Sequence, residues 1–285
     1  MKSVSEAFIL GIVQGITEFL PISSTAHLRI VPALFHWSDP GTAFSAVLQI
    51  GTMVAVVIYF WKDLIKMYEA LIKDFIFLCS GGKTNELIRS YESKLALWIL
   101  LGTVPICIFG FLFKKPIEEG MVRDLNIVAF YLIFFGILLF FSEIIAKETR
   151  VLTSINALDV LLIGLAQSFA LIPGVSRSGV TLFAGLLLGF KRPLAARFSF
   201  LLSVPAVLAS SVLELNTLIL NIESTGNRII WSDLLIGIVA ACASGYFAID
   251  FLLKYLQTRK THVFVLYRVL IGALVIYLNC RGLIH

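Results

Sequence analysis

Residues 17–27 read TEFLPISSTAH: a carboxylate, three consecutive hydroxyls and an imidazole gathered around a proline. Roughly the first sixty residues are otherwise apolar, and over the 285-residue chain 59% of the residues are hydrophobic and only 14% charged, with a mean hydropathy of +0.94. Several apolar stretches reach the ~20 residues that cross a bilayer as a helix. Polar groups inside such a run need a water-filled or protein-lined cavity. The runs do not alternate as the strands of an outer-membrane barrel do. The chain therefore reads as an all-α polytopic membrane protein.

The net charge of +5 is expected to sit in loops, where Lys and Arg set topology rather than bind nucleic acid. Cys79, Cys107, Cys242 and Cys280 lack metal-ligand spacing and read as small hydrophobes. The first apolar run is broken by Gln14 and Glu18, which argues against a cleavable signal peptide.

Six apolar segments can span: 43–61, 95–113, 126–145, 197–220, 232–253 and 263–280. Stretches 7–36 and 156–190 are broken midway by proline and hydroxyls, and each piece is too short to cross alone. Such segments suggest re-entrant helix pairs with tips near the bilayer centre. The two broken stretches resemble each other. Gln14, Pro21 and SST align with Gln167, Pro173 and SRS at offsets of 153 and 152. Phe44-Ser45 and Leu48 align with Phe198-Ser199 and Leu202 at 154, and Tyr131, Gly136 and Leu138 align with Tyr267, Gly272 and Leu274 at 136. The fall of 18 is what a long polar loop, 62–94, adds to the first half alone.

The expected architecture is six transmembrane helices plus two re-entrant helix pairs in one membrane domain, with inverted halves at roughly 1–147 and 153–285. Lys62, Lys66, Lys73, Lys83, Arg89 and Lys94 put loop 62–94 in the cytoplasm, joined by Lys254, Arg259 and Lys260, although Lys114, Lys115 and Arg123 on the other side weaken the contrast. The first re-entrant pair then enters from outside and the second from inside, and their tips can meet.

The second tip reads PGVSRSGVT, residues 173–181. The planar fork of Arg177 matches phosphate oxygens, and amides at a helix start add donors. The competing role is an ion pair with Glu18 for structure alone. In the first tip, Ser24 is a candidate nucleophile that needs a base, and His27, three residues on, falls on the same helical face. Glu18 is a hard oxygen ligand suited to Mg²⁺ or Ca²⁺. Elsewhere, Glu214 and Arg268 are expected to pair within the bundle, and Arg29 to snorkel or to touch substrate phosphate. Trp61, Trp98 and Trp231 read as interface anchors.

QGITEFLPISSTAH and PGVSRSGVT resemble the two signature stretches of the undecaprenyl-diphosphatase family of bacitracin-resistance membrane phosphatases. The resemblance implies a bacterial inner-membrane enzyme that takes the terminal phosphate from undecaprenyl diphosphate, recycling the carrier for cell-wall synthesis. It implies catalytic roles for Glu18, Ser24 and His27, with Glu18 also at the metal, and phosphate binding by Arg177. Ser23, Thr25, Ser176, Ser178 and Thr181 fall on positions that line the site. Gln14 stands where many members carry a second glutamate. It can offer a carbonyl to the divalent cation but no charge, so a two-carboxylate metal site is in doubt.

The expected partners are a prenyl diphosphate lipid and the bilayer, with no nucleic acid, and a homodimer stays open. Whether Ser24, His27 or water attacks phosphorus also stays open. A transporter or flippase of an anionic or prenyl-phosphate substrate shares the broken-helix architecture but has no need of a Ser–His pair. A phosphatase with a histidine nucleophile lacks its later His and spaced Asp, and a scaffold does not require buried Glu, His and Arg. The site is expected to open to the outer face. With native cysteines removed, a cysteine at Lys83 should then resist an impermeant thiol reagent in intact cells while one at Lys115 reacts; the reverse pattern overturns the orientation.

Overall fold

The computed structural model describes residues 4–39, 41–82, 90–113, 124–225 and 231–284, without the side chains of 42, 43, 212–225, 231 and 232. Among these residues it is all-helical apart from one isolated bridge between Arg150 and Phe190. The helices are α1 (Val4–Phe19), α2 (Ser24–Leu34), α3 (Gly41–Tyr59), α4 (Trp61–Cys79), α5 (Tyr91–Leu112), α6 (Leu125–Ile145), α7 (Ala157–Ser168), α8 (Arg177–Leu187), α9 (Arg192–Thr225), α10 (Trp231–Thr258) and α11 (His262–Cys280). Lys83, Arg89, Lys114, Lys115, Arg123 and the side chains of Glu214 and Trp231 lie outside the described residues.

Among the described residues, five helices are long and apolar enough to cross a membrane, or up to six if the bent pair α3–α4 is one span. They mark a multi-pass membrane protein. The helix starts follow from their caps. Asp124 accepts the amides of Asn126 and Ile127 at 2.8 and 3.1 Å, and Asn156 and Asp159 form a reciprocal capping box at α7. Stretch 62–94, expected as one long loop, is helical over Trp61–Cys79, bent by 76° from α3. Its polar residues recur with a helical period, which a reading by charge density overlooks.

Two close crossings hold the bundle together. α1 packs along α10, and a Cβ on Gly11 would lie 2.4 Å from the carbonyl oxygen of Gly237. α7 packs along α5, and a Cβ on Gly164 would lie 2.4 Å from the carbonyl oxygen of Gly102. In the first, a helix from the start of the chain is gripped by one near its end, and in the second two helices from the middle of the chain meet, so each helix leading into a tip is held by the bundle. At the helix ends, Arg192 pairs with Glu143 and Glu148, whose nearest contacts are 2.7 and 2.6 Å. Glu143 also accepts the amide of Thr261, and Arg150 pairs with Asp159 at 2.6 Å. Arg29 faces Asp39 at 3.5 Å. Trp61 is exposed, whereas Trp98 packs partly buried against the main core.

Because backbone lies opposite Gly164, a side chain there must push two helices apart. Gly164→Leu should destabilise the protein by about 1–3 kcal/mol, read as a lower thermal midpoint in detergent. Gly110→Leu, whose nearest neighbour is a Leu171 methyl 3.9 Å away, should leave the midpoint unchanged.

Candidate active site

Both tips turn in the same way. Ser23 and Ser176 have φ of 74° and 72°, each is the N-cap of the following helix, and each side chain accepts the amide three residues on, at 3.5 and 3.2 Å. A left-handed serine is strained by about 1 kcal/mol, a cost that the cap and the neighbouring contacts offset. The helix starts carry Ser24 and Arg177 as their first residues, and the tips touch. The Ser178 hydroxyl donates to the Leu20 carbonyl at 3.0 Å, and the Gly174 amide donates to Thr25 Oγ1 at 3.4 Å.

Glu18 is the hub between them. Its Oε1 accepts Arg177 Nη2 at 2.6 Å, and its Oε2 accepts Ser24 Oγ at 2.6 Å and Gln14 Nε2 at 2.9 Å. Glu18, Ser24 and Gln14 are buried, and the Arg177 side chain is 14% exposed. The ion pair considered for Arg177 is thus present, and it also ties the nucleophile candidate to the same carboxylate. Arg177 Nη1 reaches the Ser203 carbonyl at 3.4 Å.

The pairing of Ser24 with His27 expected from their spacing is not what forms. His27 Nδ1 lies 2.7 Å from the Ser23 carbonyl and Nε2 lies 2.8 Å from the Tyr267 hydroxyl, with the two rings stacked at 5.6 Å. A carbonyl only accepts, so Nδ1 carries the proton, and in the neutral ring Nε2 accepts from Tyr267. Ser24 takes Glu18 as its partner because the turn at 20–23 folds α1 back over the start of α2. The other predicted residues frame this centre. Ser23 Oγ meets Thr25 Oγ1 at 3.1 Å, Ser176 Oγ meets Ser178 Oγ at 3.2 Å, and Thr181 bonds the Arg177 carbonyl at 2.7 Å and the Ser199 hydroxyl.

The family model described as bacitracin resistance protein BacA matches residues 7–274. An undecaprenyl-diphosphatase of Gloeobacter violaceus is 46% identical over 283 residues, covering 99% of this chain and 93% of its own. Those of Myxococcus xanthus and Chlorobium phaeovibrioides are also 46% identical, covering 98% and 97% of this chain and 90% and 97% of theirs. The chain belongs to the bacitracin resistance protein family.

Gln14 Oε1 is buried with no hydrogen-bond partner, beside the carboxylate of Glu18. Those two groups fit Mg²⁺ or Ca²⁺ as donors, with one carboxylate rather than two. No group of three His, Cys, Asp or Glu residues able to hold a metal occurs among the described residues.

Two residues escaped the sequence reading. Tyr267 was visible only as a repeated letter. Arg268, expected to pair with Glu214, is fully buried and spends its guanidinium on backbone carbonyls. It donates to Pro21 in the first tip at 3.1 Å, to Gly174 and Val175 in the second at 3.0 Å each, and to Leu132 of α6 at 2.8 Å. Gly136 and Gly179 form its slot, since a Cβ on either would come within 3.3 Å of the arginine. A lone arginine in the apolar run 263–280 was the available signal. Lysine cannot reach four carbonyls that lie around a planar fork. Arg268→Lys should therefore cost on the order of 3 kcal/mol, read as a depressed thermal midpoint with loss of activity. An unchanged midpoint would remove Arg268 from this role.

Proposed function

We propose that this protein hydrolyses undecaprenyl diphosphate to undecaprenyl phosphate and phosphate, recycling the lipid carrier and conferring bacitracin resistance. The observation that carries the reading is the Ser24 hydroxyl 2.6 Å from Glu18 Oε2, with Arg177 on the other oxygen. The terminal phosphoryl group takes the Arg177 fork, two parallel donors onto its oxygens, and this frees Glu18. Ser24 Oγ attacks the terminal phosphorus and its proton passes to Glu18. The bond to the bridging oxygen breaks, undecaprenyl phosphate leaves with the electron pair, and water releases phosphate from Ser24. The amides at the starts of α2 and α8 favour the anionic oxygens. His27 serves by bracing the strained Ser23 carbonyl. A divalent cation held by Glu18 and Gln14 would offset phosphate charge and polarise phosphoryl oxygens.

The helices α3, α5, α6, α9, α10 and α11 are read as six spans, and α1–α2 and α7–α8 as re-entrant pairs. Support comes from length: the 16, 11, 12 and 11 residues of these four helices give about 24 Å at most, short of a ~30 Å hydrocarbon core. The matched φ values and caps at Ser23 and Ser176 support halves that repeat, inverted, about 1–147 and 153–285. The lysine-rich face supports a bacterial inner-membrane protein whose site opens outward. Transport is disfavoured because nothing in it calls for a serine bound to a carboxylate.

Purified protein should release phosphate from undecaprenyl diphosphate and lose that activity with EDTA. Glu18→Gln and Arg177→Lys should each fall by roughly 100-fold or more while staying folded. Solute flux into liposomes without phosphate release would favour the transporter. His27→Asn, which keeps a donor toward Ser23, should retain at least about a tenth of the rate. A loss beyond roughly 100-fold would instead make His27 a proton-transfer group.

A further inference from the structure

Helix α4 is not a span, since six of its 19 residues are charged, yet only Phe60 separates it from α3, which it leaves at 76°. A helix turned that far from a spanning neighbour runs close to the membrane plane. Its side chains divide into three sectors at helical spacing. Asp63, Met67 and Asp74 face the bundle. Asp63 pairs with Arg197 at 2.8 Å, Met67 is buried, and Asp74 accepts the Ser93 hydroxyl. Trp61, Ile65, Tyr68, Ile72, Phe75 and Ile76 form an outward stripe, each 36–66% exposed. Lys62, Lys66 and Lys73 form a row along one edge of that stripe, also exposed.

The charges of α4 cancel in number but not in place. Two of its three carboxylates, Asp63 and Asp74, are turned to the bundle, and only Glu69 shares the lysine sector. An apolar stripe edged by lysines matches the boundary between acyl chains and phosphate head groups. A cavity of about 390 Å³ beside Lys66 and Lys73 also carries Glu69, Asp74 and Glu92, so it is the row rather than the cavity that suits an anion.

We infer that α4 lies in the bilayer interface at the end of α3, with its stripe in the acyl region and Lys62, Lys66 and Lys73 on the head groups of anionic phospholipids. The partner is the membrane surface itself, and the interaction is independent of the chemistry at Ser24.

Full-length protein, cleared of native cysteines, carries a bimane at Ile72→Cys or Glu69→Cys in vesicles of phosphatidylcholine mixed with phosphatidylglycerol. The label at 72 should be quenched by brominated acyl chains and not by aqueous iodide, with the opposite result at 69. Brominated phosphatidylglycerol should quench position 72 more than brominated phosphatidylcholine at equal content, by an enrichment of roughly threefold or more. K62Q/K66Q/K73Q should abolish that preference while eluting as the wild type does. Iodide access at 72 overturns the placement, and protection from both quenchers at high protein content assigns the stripe to a second copy instead. Equal quenching by the two lipids in the wild type overturns the lysine row as an anion contact.

Discussion

The site depends on Arg268. Two chain breaks bring backbone carbonyls into the interior of a bundle where water is scarce, and each unmet carbonyl there is costly. One guanidinium meets carbonyls from both breaks and from α6 between them. It acts as a tie rather than a ligand, because its donors are spent on backbone. With Pro21 and Gly174 fastened to one planar group, the starts of α2 and α8 are set against each other. The glycine crossings at Gly11 and Gly164 then fix the helices that lead into the tips. Rigid support of this kind is what a reacting constellation needs, since small misplacements are costly in rate.

Electrostatics follow from that placement. Arg177 enters from the second tip and Glu18 from the first, so the buried ion pair exists only when the tips are together. A buried pair is weak evidence of stability, and its worth here lies in specificity: it forms only between these two tips. The same carboxylate holds the Ser24 proton at short range. In the proposed reaction an incoming diphosphate competes with Glu18 for the arginine, which makes binding of the anion and release of the base one event.

Much of this was legible in the sequence. The clusters around Pro21 and Pro173 marked the tips, because hydroxyls, an imidazole and charges have few stable places in an apolar run. The offset between Gln14 and Gln167 located equivalent turns, and Ser23 and Ser176 share a conformation that no letter in the sequence reveals. What misled was local spacing. His27 lies one turn from Ser24, but side-chain partners at a tip are chosen by the turn that precedes the helix, and that turn delivered Glu18. The carbonyl partners of Arg268 have no counterpart in the sequence, because carbonyls leave no trace in composition. The polar stretch after Tyr59 read as loop because its charges were counted rather than placed around a helix.

The central claim is that Glu18 and Ser24 act as one unit held against Arg177. The direct test is a double-mutant cycle on kcat/KM for undecaprenyl diphosphate, using Glu18→Gln, Ser24→Ala and the double variant. Groups that serve a single proton transfer are strongly non-additive. The double variant should therefore be no slower than the slower single variant. Losses that multiply would mean that the two residues contribute independently, and that the short bond between them in the structure is not the one used in the reaction.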